Sequence, residues 1–144
     1  NIRSGTENLA NIAGFTVAWL AARAAHKDEY QRLSSLRDKA IHELEQLPNC
    51  IINGAKHQKR LANNIHITIA GYDNERLLMQ LDEQGFQIAT GSACSASNDE
   101  PSHVLKAMGL SDEAAQSSVR ITLVMYTTEE SLHNLIQAIK KLVA

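Results

Sequence analysis

Cys94 stands in a run of small residues, Thr90-Gly91-Ser92-Ala93-Cys94-Ser95-Ala96-Ser97. No bulky neighbour in sequence hems in its sulfur, so the thiol can reach another molecule, and a cysteine held as thiolate is a nucleophile. The same small residues also suit an inert cysteine packed as a small apolar group. The residue pattern leaves both readings open. The other cysteine, Cys50, lies between Asn49 and Ile51 and reads as a buried strand residue. Two cysteines in such unlike surroundings do not make a disulfide framework. The six histidines are scattered without the spacing that builds a metal site, and His66 and His103 read as surface or loop residues.

The elements around Cys94 follow from hydrophobic periodicity. From Asn8 to Gln46 there is no proline and a single glycine, Gly14, with apolar Leu9, Ile12, Ala13, Trp19 and Leu20 followed by Leu33, Leu36, Ala40, Ile41, Leu44 and Leu47. Three- and four-residue intervals predict helix up to Pro48, either one bent helix or two joined near His26 to Asp28. Cys50 to Ile52 is a short apolar piece. In Asn64 to Ile69, Ile65, Ile67 and Ile69 alternate with His66 and Thr68, a strand with one buried face and one that is polar or covered. Asp73 or Asn74 can cap a helix carrying Leu77, Leu78 and Leu81, and Gly85 ends it. Phe86 and Ile88 predict a short strand, and Ala89 to Pro101 is too small and polar to pack as a core element and must be a loop. His103 to Met108 predicts a brief helix closed by Gly109, and Ser118 to Met125 a strand with Val119, Ile121 and Leu123 on one face. Thr127 and Glu130 fit a capping box for a last helix with Leu132, Leu135, Ile136, Ile139 and Leu142 as its stripe. The expected fold is α/β, a two-layer α+β arrangement of helices on a small, mostly antiparallel sheet.

Composition narrows the function classes. The chain has 144 residues, 44% of them hydrophobic, which is the size and apolar content of one domain with a real core. A formal charge of -2 argues against direct nucleic-acid binding. The longest apolar stretch, Phe15 to Ala25, is shorter than the roughly 20 residues a membrane span needs and is interrupted by Thr16 and Arg23. Asn1 to Asn11 lacks the pattern of a secretory signal, so a cytoplasmic protein is expected. The opening Asn-Ile-Arg, without a starting Met, is expected to be a cut from a longer chain.

Gly91-Ser92-Ala93-Cys94-Ser95, followed by Glu100-Pro101-Ser102-His103-Val104-Leu105, resembles the catalytic-cysteine loop of the cysteine desulfurases, pyridoxal-phosphate enzymes of fold type I in the class V aminotransferase family. The resemblance continues in Arg3-Ser4-Gly5-Thr6-Glu7-Asn8, in Asn53-Gly54 with Asn63-Asn64-Ile65, and in Ser117 to Leu123 with Thr127-Thr128-Glu129-Glu130. Four ordered segments cover almost the whole chain. The resemblance implies that residues 1–144 are the C-terminal small domain of such an enzyme, with 1–47 a helical lead-in from the large domain and 89–101 the catalytic-cysteine loop.

By the same resemblance the parent enzyme removes sulfur from L-cysteine, giving L-alanine and a persulfide on Cys94. Arg120 would pair with the substrate carboxylate, a role that suits a planar guanidinium, and Thr6 would reach the cofactor phosphate in the neighbouring subunit of a homodimer. An iron–sulfur scaffold or a tRNA-thiolation protein would accept the sulfur, and in some relatives the loop cysteine helps hold a nascent iron–sulfur cluster. Taken as plain residues, Arg120 also suits a structural salt bridge and Thr6 an N-cap. The family's pyridoxal lysine belongs to its large domain and no stretch here resembles that segment, so the chain alone is expected to be inactive. Leu123-Val124-Met125-Tyr126 replaces the family's usual L-G turn, predicting a different turn there. Selenocysteine lyase and a standalone sulfur-relay domain are the alternatives.

Overall fold

The computed structural model of the chain describes residues 4–55, 59–90 and 101–143. It opens with α1, Leu9–Leu44, one continuous helix of 36 residues rather than two, because nothing between His26 and Asp28 breaks the backbone ladder. Asn8 caps it by accepting a hydrogen bond from the Asn11 amide. Its two halves differ. Every described residue from Ser4 to Asp28 is exposed, whereas Leu36, Arg37, Ala40 and Leu44 are buried against the sheet and the last helix.

The sheet has four strands, β1 (Cys50–Ile52), β2 (Asn64–Ile69), β3 (Ala89–Thr90) and β4 (Ser118–Thr122), in the spatial order β1-β2-β4-β3. All three pairings are antiparallel. The helices α2 (Asn74–Asp82) and α5 (Glu129–Val143) complete the layer begun by the second half of α1. Ile65, Ile67 and Ile69 face that layer together with Val119, Ile121 and Leu123, and meet Leu77, Leu81, Leu135, Ile136 and Ile139. Each fully buried side chain of this kind contributes about 1.5–3 kcal/mol by leaving water.

The α/β class and the antiparallel sheet agree with the sequence pattern, and four local features differ from it. Phe86 and Ile88 pack against the core from irregular backbone, and the strand consists instead of Ala89 and Thr90, held by pairing with Arg120 and Val119. Ala89 and Thr90, expected in the loop, thus belong to a strand, and residues 91–100 lie outside the described residues. A five-residue helix, α4 (Asp112–Gln116), had no apolar stripe to announce it and is set up by Ser111, whose hydroxyl accepts from the Ala114 amide. The cap of α5 is shifted by one residue: Thr128 and Ser131 exchange reciprocal bonds to each other's amides at 3.0 and 3.1 Å, while Thr127 Oγ1 accepts from the Val124 amide. β4 stops at Thr122, and the Val124–Tyr126 turn is gripped by Arg32 of α1, which donates to the carbonyls of Val124, Met125 and Thr127. The helix α3 (His103–Ala107) follows its predicted span and ends before Gly109, whose φ is 91°.

Candidate functional site

A cavity of about 350 Å³ opens on the polar face of the sheet. Its strand side is built by β2 and β4, where His66 and Arg120 are direct cross-strand partners. Such residues have neighbouring Cβ atoms and share one face. Its loop side is Asn53, Gly54, Ala55, Lys59 and Arg60, and Ser102 and Leu105 close it from α3 and the residue before it.

The loop side is held by two arginines. Arg60 donates from Nε to the Ala55 carbonyl at 2.8 Å and from Nη2 to the Asn53 carbonyl, and reaches Asn64 with Nη1. Gly54 lets the backbone turn here, since its φ of 86° is one that glycine adopts readily. Arg37 of α1, itself buried, then donates to the carbonyls of Arg60 and Leu61 at 3.1 and 2.9 Å and pairs with Asp38. Burial pulls the Arg60 pKa down, and the nearby Arg37 charge adds to that.

Arg120 is different. Among the described residues no hydrogen bond or ion pair engages its exposed guanidinium, so the structural salt bridge that its residue type also suited is not formed there. His66 beside it is half-buried in β2 rather than on the surface or in a loop. Burial, then the charges of Arg120 and Arg60, hold its pKa below the usual histidine value. His103 does lie exposed, at the start of α3. No aspartate or glutamate lines the cavity among the described residues. A cationic pocket with a spare fork of N–H donors suits a carboxylate, which Arg binds through two parallel hydrogen bonds.

The other anticipated residues fall elsewhere. Thr6 is exposed in the segment before α1, is not the N-cap, which is Asn8, and is not among the residues lining the cavity. Cys94 lies outside the described residues, as does Lys56-His57. The chain on either side of Cys94 is placed: Thr90 pairs with Val119, next to Arg120, and Ser102 lies on the cavity rim. Cys50 is half-buried at the edge of the sheet, and desolvation, with the Glu45 charge second, pushes its pKa up to about 11. A second cavity, about 320 Å³ between α1 and α5, has Lys39, Glu43 and Glu129 on its rim engaged in ion pairs, Lys39 with Glu129 and Glu43 with Lys140. Among the described residues no cluster of three potential metal ligands occurs, and no helix is long and apolar enough to cross a membrane.

Residues 1–135 match the family model described as Aminotransferase class-V. The chain belongs to that family. It is 40% identical over 144 residues to the cysteine desulfurase IscS of Dictyoglomus turgidum, covering 99% of this chain and 36% of that protein. It is 37% identical over 141 residues to the cysteine desulfurase IscS of Methanosarcina thermophila, covering 98% of this chain and 35% of the relative. Among solved structures, a NifS-like protein from Rickettsia africae superposes with a TM-score of 0.81 at 31% identity, over 97% of this chain and 36% of that one. The chain thus spans about a third of the length of these class-V relatives.

His66, Asn53 and Arg60 are the cavity residues that sequence reasoning passed over. Asn53-Gly54 was visible as a motif, but its contacts to His66 and Arg60 depend on how the connection folds back on β2. The pairing of His66 with Arg120 is a matter of strand register, which the 53 intervening residues of sequence do not reveal.

Proposed function

We propose that this chain is the part of a cysteine desulfurase that anchors the substrate carboxylate and carries the sulfur-accepting cysteine. The observation that carries the reading is the uncommitted Arg120 guanidinium in a cationic cavity; Ala89, just before Thr90, is the strand partner of Arg120, and Ser102 lines the cavity. Arg120 binds the carboxylate of L-cysteine. Cys94 is four residues beyond Thr90, a tether of at most about 14 Å when extended, short enough to keep its sulfur near that substrate. The Cys94 thiolate attacks the substrate sulfur: a sulfur–sulfur bond forms as the substrate carbon–sulfur bond breaks, and the electron pair left on carbon takes up a proton on the way to L-alanine. The persulfide then passes its outer sulfur to an acceptor thiol, on an iron–sulfur scaffold or a tRNA-thiolation protein.

The residues present fit part of a site for pyridoxal 5'-phosphate. Gly5 has φ 111°, a conformation glycine adopts readily, and the exposed Thr6 stands two residues before Asn8, the N-cap of α1, whose free amide groups favour an anion. In this reading Thr6 holds the cofactor phosphate in the partner subunit's site of a homodimer. The cofactor, when bound, supplies the electron sink for cleavage of the carbon–sulfur bond. Residues 1–144 then form the C-terminal small domain, 1–47 its lead-in from the large domain and 89–101 the catalytic-cysteine loop. The imine-forming lysine comes from the large domain, and the enzyme works in the cytoplasm. Relatives that bear the name cysteine desulfurase at 36–40% identity favour this over a selenocysteine lyase or a standalone relay domain.

The test is alanine formation from L-cysteine by the full-length protein with pyridoxal phosphate. Wild type should form alanine and load acceptor thiols with sulfur. Cys94→Ser should lose the loading, and a wild-type protein that forms no alanine would refute the assignment.

A further inference from the structure

A chain of hydrogen bonds runs from α4 to the cavity, and its direction is fixed at one end. The Ala114 carbonyl can only accept, and Ser118 Oγ lies 2.7 Å from it, so the one Ser118 hydroxyl proton is spent there. Thr68 Oγ1 and Ser118 Oγ are 2.7 Å apart, and the proton between them therefore belongs to Thr68. Thr68 Oγ1 then offers only lone pairs to the Asn53 amide 2.8 Å away, which requires the Nδ2 donor to face it rather than Oδ1. The second hydrogen of Nδ2 is then free for His66 Nδ1, at 3.0 Å, which is nearer than Ser118 Oγ at 3.5 Å. Asn53, Thr68 and Ser118 are all buried, so water has little access to reverse the order. His66 Nδ1 is an acceptor, its proton sits on Nε2, and among the described residues Nε2 has no partner.

Every charged group that lines the cavity with His66 among the described residues is a cation: Arg120 on β4, and Arg60 and Lys59 in the segment before β2. An imidazolium would also set Nδ1–H against the Asn53 Nδ2 hydrogens. The ring is held neutral both by its neighbours and by its hydrogen bond. A bidentate Arg leaves lone pairs of a carboxylate unused, and a neutral N–H beside it can take one.

We propose that the Ala114–Ser118–Thr68–Asn53 relay makes His66 a substrate-positioning residue, a neutral Nε2–H donor that orients the α-carboxylate of the amino-acid substrate against Arg120. This rests on the reading of Arg120 as the carboxylate anchor. Two measurements on the full-length protein separate the claims. Long-range proton–nitrogen NMR of histidine-labelled protein, with His66 identified by its loss in His66→Gln, should show the Nε2–H tautomer at neutral pH. The Nδ1–H tautomer or an imidazolium would overturn the relay.

Steady-state kinetics with L-cysteine is the second. His66→Phe should raise KM about 10- to 100-fold, the worth of one hydrogen bond to a charged group, with a smaller change in kcat. His66→Asn, which keeps an N–H donor, should recover most of that loss. If Arg120→Ala raises KM and His66→Phe does not, the positioning role fails while the anchor stands. If neither raises KM, the anchor reading fails and takes the role of His66 with it.

Discussion

Arg60 and Arg120 line the same cavity and carry the same charge, yet their donors are committed in opposite ways. Arg60 is buried, and its guanidinium holds the carbonyls of Asn53 and Ala55 and reaches Asn64. Arg120 is exposed and, among the described residues, ties down nothing. A basic residue beside a pocket is therefore not a binding residue by position alone; spare hydrogen-bonding capacity separates the anchor from the clamp. The same division runs along α1. Its second half supplies buried Leu36, Ala40 and Leu44 and the carbonyl-gripping Arg32 and Arg37, whereas its first half leaves Ile12, Trp19 and Leu20 at least half exposed.

The contrast between the two arginines predicts opposite phenotypes. Arg120→Ala should lower kcat/KM for L-cysteine about 100-fold or more, since truncating one partner of a hydrogen-bonded charge pair costs about 2–5 kcal/mol. Its unfolding midpoint in urea should stay near wild type, because the removed group supports no described contact. Arg60→Ala should behave in reverse. Removing the guanidinium strands the carbonyl of buried Asn53 and lowers stability by about 1–3 kcal/mol in urea unfolding, with the loss in activity secondary. Equal destabilisation by both substitutions would abolish the distinction.

His66 sharpens the comparison through pH. Its folded pKa is lowered from 6.5, so as pH falls the unfolded chain takes up a proton before the native one does. The stability this gives is fully present above the ordinary histidine value and is lost as pH falls through the lowered one. Wild type should thus lose more stability than His66→Asn between about pH 7.5 and about pH 5, as read by urea unfolding at each pH. The smallest effect belongs to the exposed pair Lys39–Glu129, which joins α1 to α5: Lys39→Ala should change stability by about 0.5 kcal/mol or less.

The fold was legible where a buried face imposed a period. Ile65, Ile67 and Ile69 announce β2, and Leu132, Leu135, Ile136 and Ile139 announce α5. Short elements were not, because two residues such as Ala89 and Thr90, or five such as Asp112 to Gln116, complete no period and are held by pairing or a cap. Neighbouring threonines blurred the start of α5, since both Thr127 and Thr128 can cap and the choice depends on the Val124 amide that takes Thr127. In the site, Arg120 was readable by resemblance to a family motif. His66 looked like a polar residue on an alternating strand, and its environment exists only once Asn53 folds back on β2 and β4 brings Arg120 alongside. Thr68 shows the same limit: its alternation marked it as polar or covered, and it is buried in the relay under Ser118.

In the proposed mechanism Cys94 accepts sulfur while Arg120 holds the substrate that supplies it. Full-length protein incubated with L-cysteine and pyridoxal phosphate, alkylated and digested, can be read by mass spectrometry for sulfur added to each cysteine, with Cys94→Ala as control. One extra sulfur on Cys94 is predicted, none on Cys50, whose thiol at a pKa of about 11 is almost entirely protonated at neutral pH. Alanine formed with Cys94 unmodified would contradict the account and indicate a lyase that releases sulfur without this residue.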